Sequence, residues 1–203
     1  MNFLFYFGIL GLILFEICNV YFIMPMPGSQ EMNSIGLAYF LYSWRWAFRI
    51  IFSLCILYKA IPAFQESKIL VPLFLLLTFG IVYATNFIMA ADKMFLQVNK
   101  LLMTPSAKNK IDLDKIILGI EHSGEARAYP MQFLGYHHQV IDTIAGKPVI
   151  ITYCTVCRTG RVFEPIVKGK VESFRLVGMD HFNAMFEDQS TKSWWRQVSG
   201  EAI

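Results

Sequence analysis

Charge is scarce in this sequence. Only 16% of its 203 residues are Asp, Glu, Lys or Arg, while 55% are hydrophobic, above the roughly 45–50% of ordinary soluble domains. The net charge is a modest +3, and lysines gather in one short segment instead of along a patterned face, which argues against nucleic acid as a partner. Cysteine is sparse too, with four in the chain. One C-x-x-C exists without a second, and the four histidines show no H-x(3–5)-H spacing, so no complete zinc motif is written here. Arg158, not His, follows the second cysteine, which removes the c-type haem attachment motif. Repeats and low-complexity segments are also missing.

What the chain does have is apolar length, concentrated before about Phe95. Runs from Asn2 to Met26, Ile35 to Phe64 and Ile69 to Ala90 each meet the ~20 residues needed to cross a hydrocarbon core. Three transmembrane helices are therefore expected within residues 1–95. The first run is read as retained, because it has no basic start, exceeds a signal-peptide core, and shows no small-residue cleavage pattern before Pro25 and Pro27. "MPMPGSQ" and "IPAFQESK" mark the breaks between runs.

Glu16 in the first run and Arg45 and Arg49 in the second are costly at membrane depth unless partnered. Glu16 and Arg45 each stand about ten residues from the intervening turn, so at ~1.5 Å per residue they reach similar heights on antiparallel helices. Arg45 and Arg49, four apart, share a face. One expectation is a buried cluster of Glu16 with Arg45 and Arg49, aided by Asn19 or Asn86. The other is that Arg45 snorkels to a headgroup beside Trp44 and Trp46. Orientation is ambiguous: Lys59 and Lys68 argue for an external carboxyl-terminal part, whereas Lys93, Lys100, Lys108 and Lys110 argue the reverse.

The texture changes at about Leu96. Residues 96–110 read as a polar linker, and 111–203 as a small β-rich domain built from "KIILGIE", "EARAYP", "HQVIDTI", "PVIITY", "GRVFEPIV", "KVESFRLVG" and "KSWWRQV". "FNAMFEDQST" fits one helical turn or a strand. The fold class is thus membrane α plus soluble mainly β: three transmembrane helices followed by a small domain. So small a domain is marginal on its core alone, and the aromatic run before "SGEAI" lacks an evident neighbour, so continuation beyond Ile203 is expected.

Cys18 and Cys55 fall within the apolar runs and read as small buried side chains. Cys154 and Cys157 differ. They follow the β-branched "PVIIT" and precede "RTGRVF", which places the pair at a strand-turn-strand tip and not at a helix N-terminus. Arg158 and Arg161 offer positive charge that favours a thiolate, so one sulfur can attack and the other resolve in a dithiol/disulfide couple. Two rivals stand beside this: a copper or zinc module using Cys154, Cys157 and His138, with His122, His137 and His181 as further ligands on paper, and a structural staple stiffening a turn.

"HHQVIDTIAGKPVIITYCTVCRTGRVFE" followed by "DQSTKSWWRQVSGEAI" resembles the family of domain of unknown function 3179. The matching positions are His138, Asp142, Gly146, Pro148, Thr152, Tyr153, Cys154, Cys157, Gly160, Ser193, Trp195, Gly200, Glu201 and Ala202. Thr155-Val156 and Arg158 depart from the family's usual residues. The resemblance implies an exported domain, placing it on the extracytoplasmic side of a multi-pass membrane protein. It also implies redox chemistry, since some relatives are described as selenoproteins, and a chain extending past the Gly-Glu-Ala segment. No reaction comes with the family.

The resulting expectation is a membrane-anchored thiol/disulfide redox protein of unspecified substrate that needs no bound cofactor, with the lipid bilayer and a thiol or disulfide protein as partners. Cys154 is the expected attacking sulfur, Cys157 its partner, Arg158 the thiolate stabiliser and His138 the general acid/base. Tyr153, Asp142 and Trp195 are expected to orient or line the site.

Overall fold

The computed structural model describes residues 2–203, which divide after Lys93 into two compact units.

The first unit is helical: α1 (Phe3–Tyr21), α2 (Ile35–Ser43), α3 (Arg45–Glu66) and α4 (Leu70–Tyr83), the last prolonged by a π-helical turn at Ala84–Ile88. One further turn, α5 (Ala91–Met94), closes it. Three helical segments, Phe3–Tyr21, Arg45–Glu66 and Leu70–Ile88, are long and apolar enough to cross a membrane. The second apolar run is not one helix. It breaks at Trp44, whose backbone leaves the helical region (φ −95°, ψ 10°). Conversely, Pro62, expected near a terminus, lies inside α3, which continues to Glu66.

Small residues let α1 and α3 approach closely, as is usual between apolar helices. A side chain at Gly8 would meet Ile56 Cγ1 and the Phe52 carbonyl at 2.8 Å. Phe5, Ile9, Leu12, Ile56, Ala63 and Val71 form the core around this contact. Beside it, the fully buried Glu16 carboxylate is satisfied by Arg49, Asn86 and Thr85. The π-helical turn carries Thr85 and Asn86 into that cluster. Arg45 does not join: it donates to the Tyr42 carbonyl at 2.6 Å and lies over the Tyr42 ring. Asn19 also makes no hydrogen bond through its buried Oδ1.

The second unit holds four small antiparallel sheets. β1 (Ile117–His122) pairs with β2 (Glu125–Pro130). β3 (Gln139–Ile144), β4 (Lys147–Cys154) and β5 (Thr159–Phe163) form a meander in that order. β6 (Ile166–Val167) and β7 (Lys170–Val171) make a short hairpin. β8 (Phe174–Asp180), β9 (Asn183–Asp188) and β10 (Trp194–Arg196) complete a second meander, with a bulge between Leu176 and Gly178. The strand option for "FNAMFEDQST" is the one adopted. The far edge of β10 is covered by the chain's own return, through the Trp195–Ala202 bridge and the bond from Ile203 N to Trp194 O.

A helix of about two turns, α6 (Met131–His137), sits between β2 and β3. Its seven residues are too short for a helical period to stand out in sequence. Residues 96–110 form little regular structure, yet Val98 and Leu101 pack on the core of Tyr129, Leu134, Val140 and Ile151. Gln97 also donates its side-chain amide to the Phe174 carbonyl.

Candidate functional site

Alternation along β4 separates two sets of side chains. Ile150, Thr152 and Cys154 point to one face, and Val149, Ile151 and Tyr153 to the other. Cys154 is the last residue of β4 and pairs with Thr159, the first of β5. Thr155–Arg158 form the connecting turn, with Arg158 in the left-handed conformation (φ 50°). Cys154 and Cys157 are both free thiols at its base.

The two sulfurs sit differently. Cys154 is fully buried (0% exposed); its thiol donates to the Phe182 carbonyl at 3.4 Å and accepts the Cys157 backbone N–H at 3.4 Å. Cys157 is half-buried, and its carbonyl accepts from the Thr159 hydroxyl at 3.1 Å. Burial pushes the Cys157 thiol up from its ordinary value, the neighbouring Cys154 sulfur adds to this, and the Thr159 hydroxyl opposes it in part.

Phe182 reaches the sulfur because β8 and β9 are joined by a tight turn with two successive left-handed residues, His181 (φ 49°) and Phe182 (φ 62°), the backbone of a favoured two-residue hairpin. At the foot of that turn the Asp180 carboxylate lies 2.7 Å from His181 Nδ1 and accepts Arg196 Nε at 2.7 Å. On the Cys154 face, the buried Gln197 side chain donates to Thr152 Oγ1 at 3.1 Å and to the Thr159 carbonyl at 2.9 Å. It thereby joins β4 and β5 just behind the sulfurs.

His138 occupies the left-handed cap of α6 (φ 64°). Its backbone accepts from Tyr153 N at 2.9 Å, but its imidazole packs at a tilt against Phe95, ring centres 4.3 Å apart and planes 51° from parallel, and among the described residues its buried Nδ1 has no hydrogen-bond partner. Burial lowers its pKa, and a hydrogen bond from the ring to the Tyr136 backbone carbonyl opposes this in part. Among the described residues no hydrogen bond links this ring, or the exposed Arg158 guanidinium, to either sulfur.

Asp142 and Tyr153 lie on the other face of the sheet. Asp142 accepts the Tyr129 hydroxyl at 2.6 Å and the Thr143 N–H at 2.7 Å, and Tyr153 packs on the Tyr129 core. Trp195 belongs to the second meander. Its indole N–H donates to Asp188 Oδ2 at 2.9 Å, and its ring borders a cavity of about 200 Å³ shared with Ile150, Thr152, Phe163, Phe186 and Gln197. The expected site residues thus separate into a sulfur turn, the Phe95–His138 contact, the Tyr129–Asp142 pair and the Trp195–Asp188 pair. Among the described residues no three His, Cys, Asp or Glu side chains converge as a metal-binding group.

Sequence reasoning missed Asp180, Phe182 and Gln197, and offered His181 only as a metal ligand on paper. "MDHFNAM" does carry a signal, since Asp and Asn bracketing a pair between β-favouring runs mark a hairpin. The Phe182 contact itself is made by a backbone oxygen, which no side-chain pattern announces.

The arrangement defines a β-rich, dithiol-bearing domain that follows three long apolar helices. A family model described as protein of unknown function (DUF3179) matches residues 99–203, more than half of the chain, and the chain belongs to that family. No curated protein and no solved structure matches it.

Proposed function

We propose that this protein is a membrane-anchored thiol/disulfide redox protein whose working groups are Cys154 and Cys157. The observation that carries the reading is the juxtaposition of two free thiols across one four-residue turn, with the Cys157 N–H directed at the Cys154 sulfur. An N–H donor aimed at sulfur favours its anionic form, the reactive species in exchange. The surroundings are polar in part: the Phe182 carbonyl, the Thr159 hydroxyl and the Gln197 amide flank the pair.

Membrane insertion is part of the proposal. It is supported by the three apolar helices and by the large side chains on their outer faces, such as Leu57, Leu76 and Phe79, which are about two-thirds or more exposed and would meet lipid. The domain is assigned to the extracytoplasmic side, where oxidising conditions allow a disulfide to persist.

The test is a redox titration of the full chain in detergent micelles with glutathione buffers. Two thiols, lost in the Cys154→Ser, Cys157→Ser double variant, should titrate together. If thiol content stays constant while stoichiometric metal remains bound through dialysis, the redox reading fails and a metal-binding one replaces it. An impermeant thiol reagent on intact cells should label Cys157 if the sidedness is right.

A further inference from the structure

The burial of Cys154 and the partial exposure of Cys157 give the pair a direction. Exchange requires the incoming, central and departing sulfurs to align, so access decides which atom is attacked. A thiolate approaching from solvent meets Cys157, which is bordered in sequence by the exposed Val156 and Arg158. Behind it, at 0% exposure, lies Cys154, whose two polar contacts both come from backbone. That inner position is prepared for a departing sulfur: the Cys157 N–H stabilises negative charge there, and the Phe182 carbonyl accepts the hydrogen once the thiol is protonated.

We infer that the disulfide form of this pair oxidises dithiols, with Cys157 the sulfur attacked and Cys154 the leaving group, an inference that rests on the redox reading above. In the first step a substrate thiolate bonds to Cys157 Sγ, the Cys154–Cys157 bond breaks, and its electron pair leaves on Cys154, which then takes up a proton. In the second, the substrate's other thiolate attacks its own sulfur in the mixed disulfide. Cys157 departs with the electron pair and is protonated. The substrate dithiol becomes a disulfide, and both protein cysteines end as the thiols seen here. The substrate class is a molecule with two thiols close enough to join each other. Phe182 and Val156, 43% and 50% exposed, give the vicinity of the pair an apolar character.

The experiment uses the full chain in detergent micelles with Cys18→Ala and Cys55→Ala, so that only the pair reports. The chain is oxidised with diamide, exposed briefly to reduced glutathione, quenched in acid, alkylated and mapped by fragmentation mass spectrometry. Glutathione is expected on Cys157 and the alkyl group on Cys154, with at least about a tenfold excess over the reverse pattern. Equal labelling, or glutathione mainly on Cys154, overturns the assignment while leaving the redox reading intact. Failure of diamide to remove two thiols defeats the redox reading itself. In a second arm, one equivalent of a reduced synthetic peptide with two cysteines should lose both thiols to the oxidised chain. A peptide that stays reduced overturns the direction proposed. Circular dichroism melting of the background variant establishes that the fold is retained.

Discussion

Arg49 grips Glu16 through two parallel hydrogen bonds, Nε to Oε1 at 2.6 Å and Nη2 to Oε2 at 3.0 Å. Asn86 bridges the same two residues, accepting from Arg49 at 2.7 Å and donating to Glu16 at 2.9 Å. Removing one partner leaves a buried charge uncompensated. Arg49→Leu should cost about 3–5 kcal/mol, and the double Glu16→Leu, Arg49→Leu variant less than that single change. Denaturation in mixed micelles, followed by circular dichroism, measures both; a double variant worse than Arg49→Leu would refute the pairing as the source of the loss.

Asp188 gives the second unit an acid limit. Burial tends to raise its pKa, but hydrogen bonds from the Thr191 hydroxyl, the Trp195 indole, the Thr191 N–H and the Ser190 hydroxyl bring it from the ordinary 3.8 to about 2. A depressed folded value means that the carboxylate stabilises the fold fully above the ordinary value and that this gain vanishes as pH falls through about 2. Asp188→Asn should melt lower than the parent at pH 7, and the gap should close towards pH 2. A pH-independent gap would contradict this.

Tyr129 sets an alkaline limit by the opposite sign. Burial first, and then its hydrogen bond to Asp142, raise the phenol well above its ordinary 10.0. Its stabilisation is complete below that value and is lost as pH rises towards the folded pKa. Tyr129→Phe should cost about 1–3 kcal/mol at neutral pH by depriving Asp142 of a donor. Melting curves above pH 10 should then fall more steeply for the parent than for the variant.

Gly200 turns the chain back along β10 with φ 74°, and a side chain there would stand 2.7 Å from the Phe163 ring. Gly200→Ala should lose about 1–3 kcal/mol from left-handed strain and crowding together. Adding Phe163→Leu should restore only the crowding part. Chemical denaturation of the two variants separates the contributions.

The long apolar runs and most strands were legible because each is a local pattern: twenty apolar residues, or β-favouring residues between turn formers. A buried Glu16–arginine cluster aided by Asn86 could also be anticipated, but helical rise matched Glu16 in height with Arg45, whereas the partner is Arg49, which shares Arg45's expected face. Arg45 could not be placed, because the break at Trp44 is a matter of backbone angles within an unbroken apolar run. The site was harder. The pair at the β4–β5 tip follows from the flanking strands, but Cys154 and Phe182 are 28 positions apart, and their contact depends on how two meanders pack. His138 illustrates the same gap: its place in the chain ahead of the strand that leads to the pair was readable, its packing on Phe95 was not.

The three-position spacing of the sulfurs has an energetic corollary. Joining Cys154 to Cys157 would close so small a ring that the chain-entropy gain is only about 2 kcal/mol, and β4–β5 pairing already holds the two ends together. Such a link is nearly redundant for folding. The redox reading proposed above therefore asks for no melting or rebuilding of the rest of the domain.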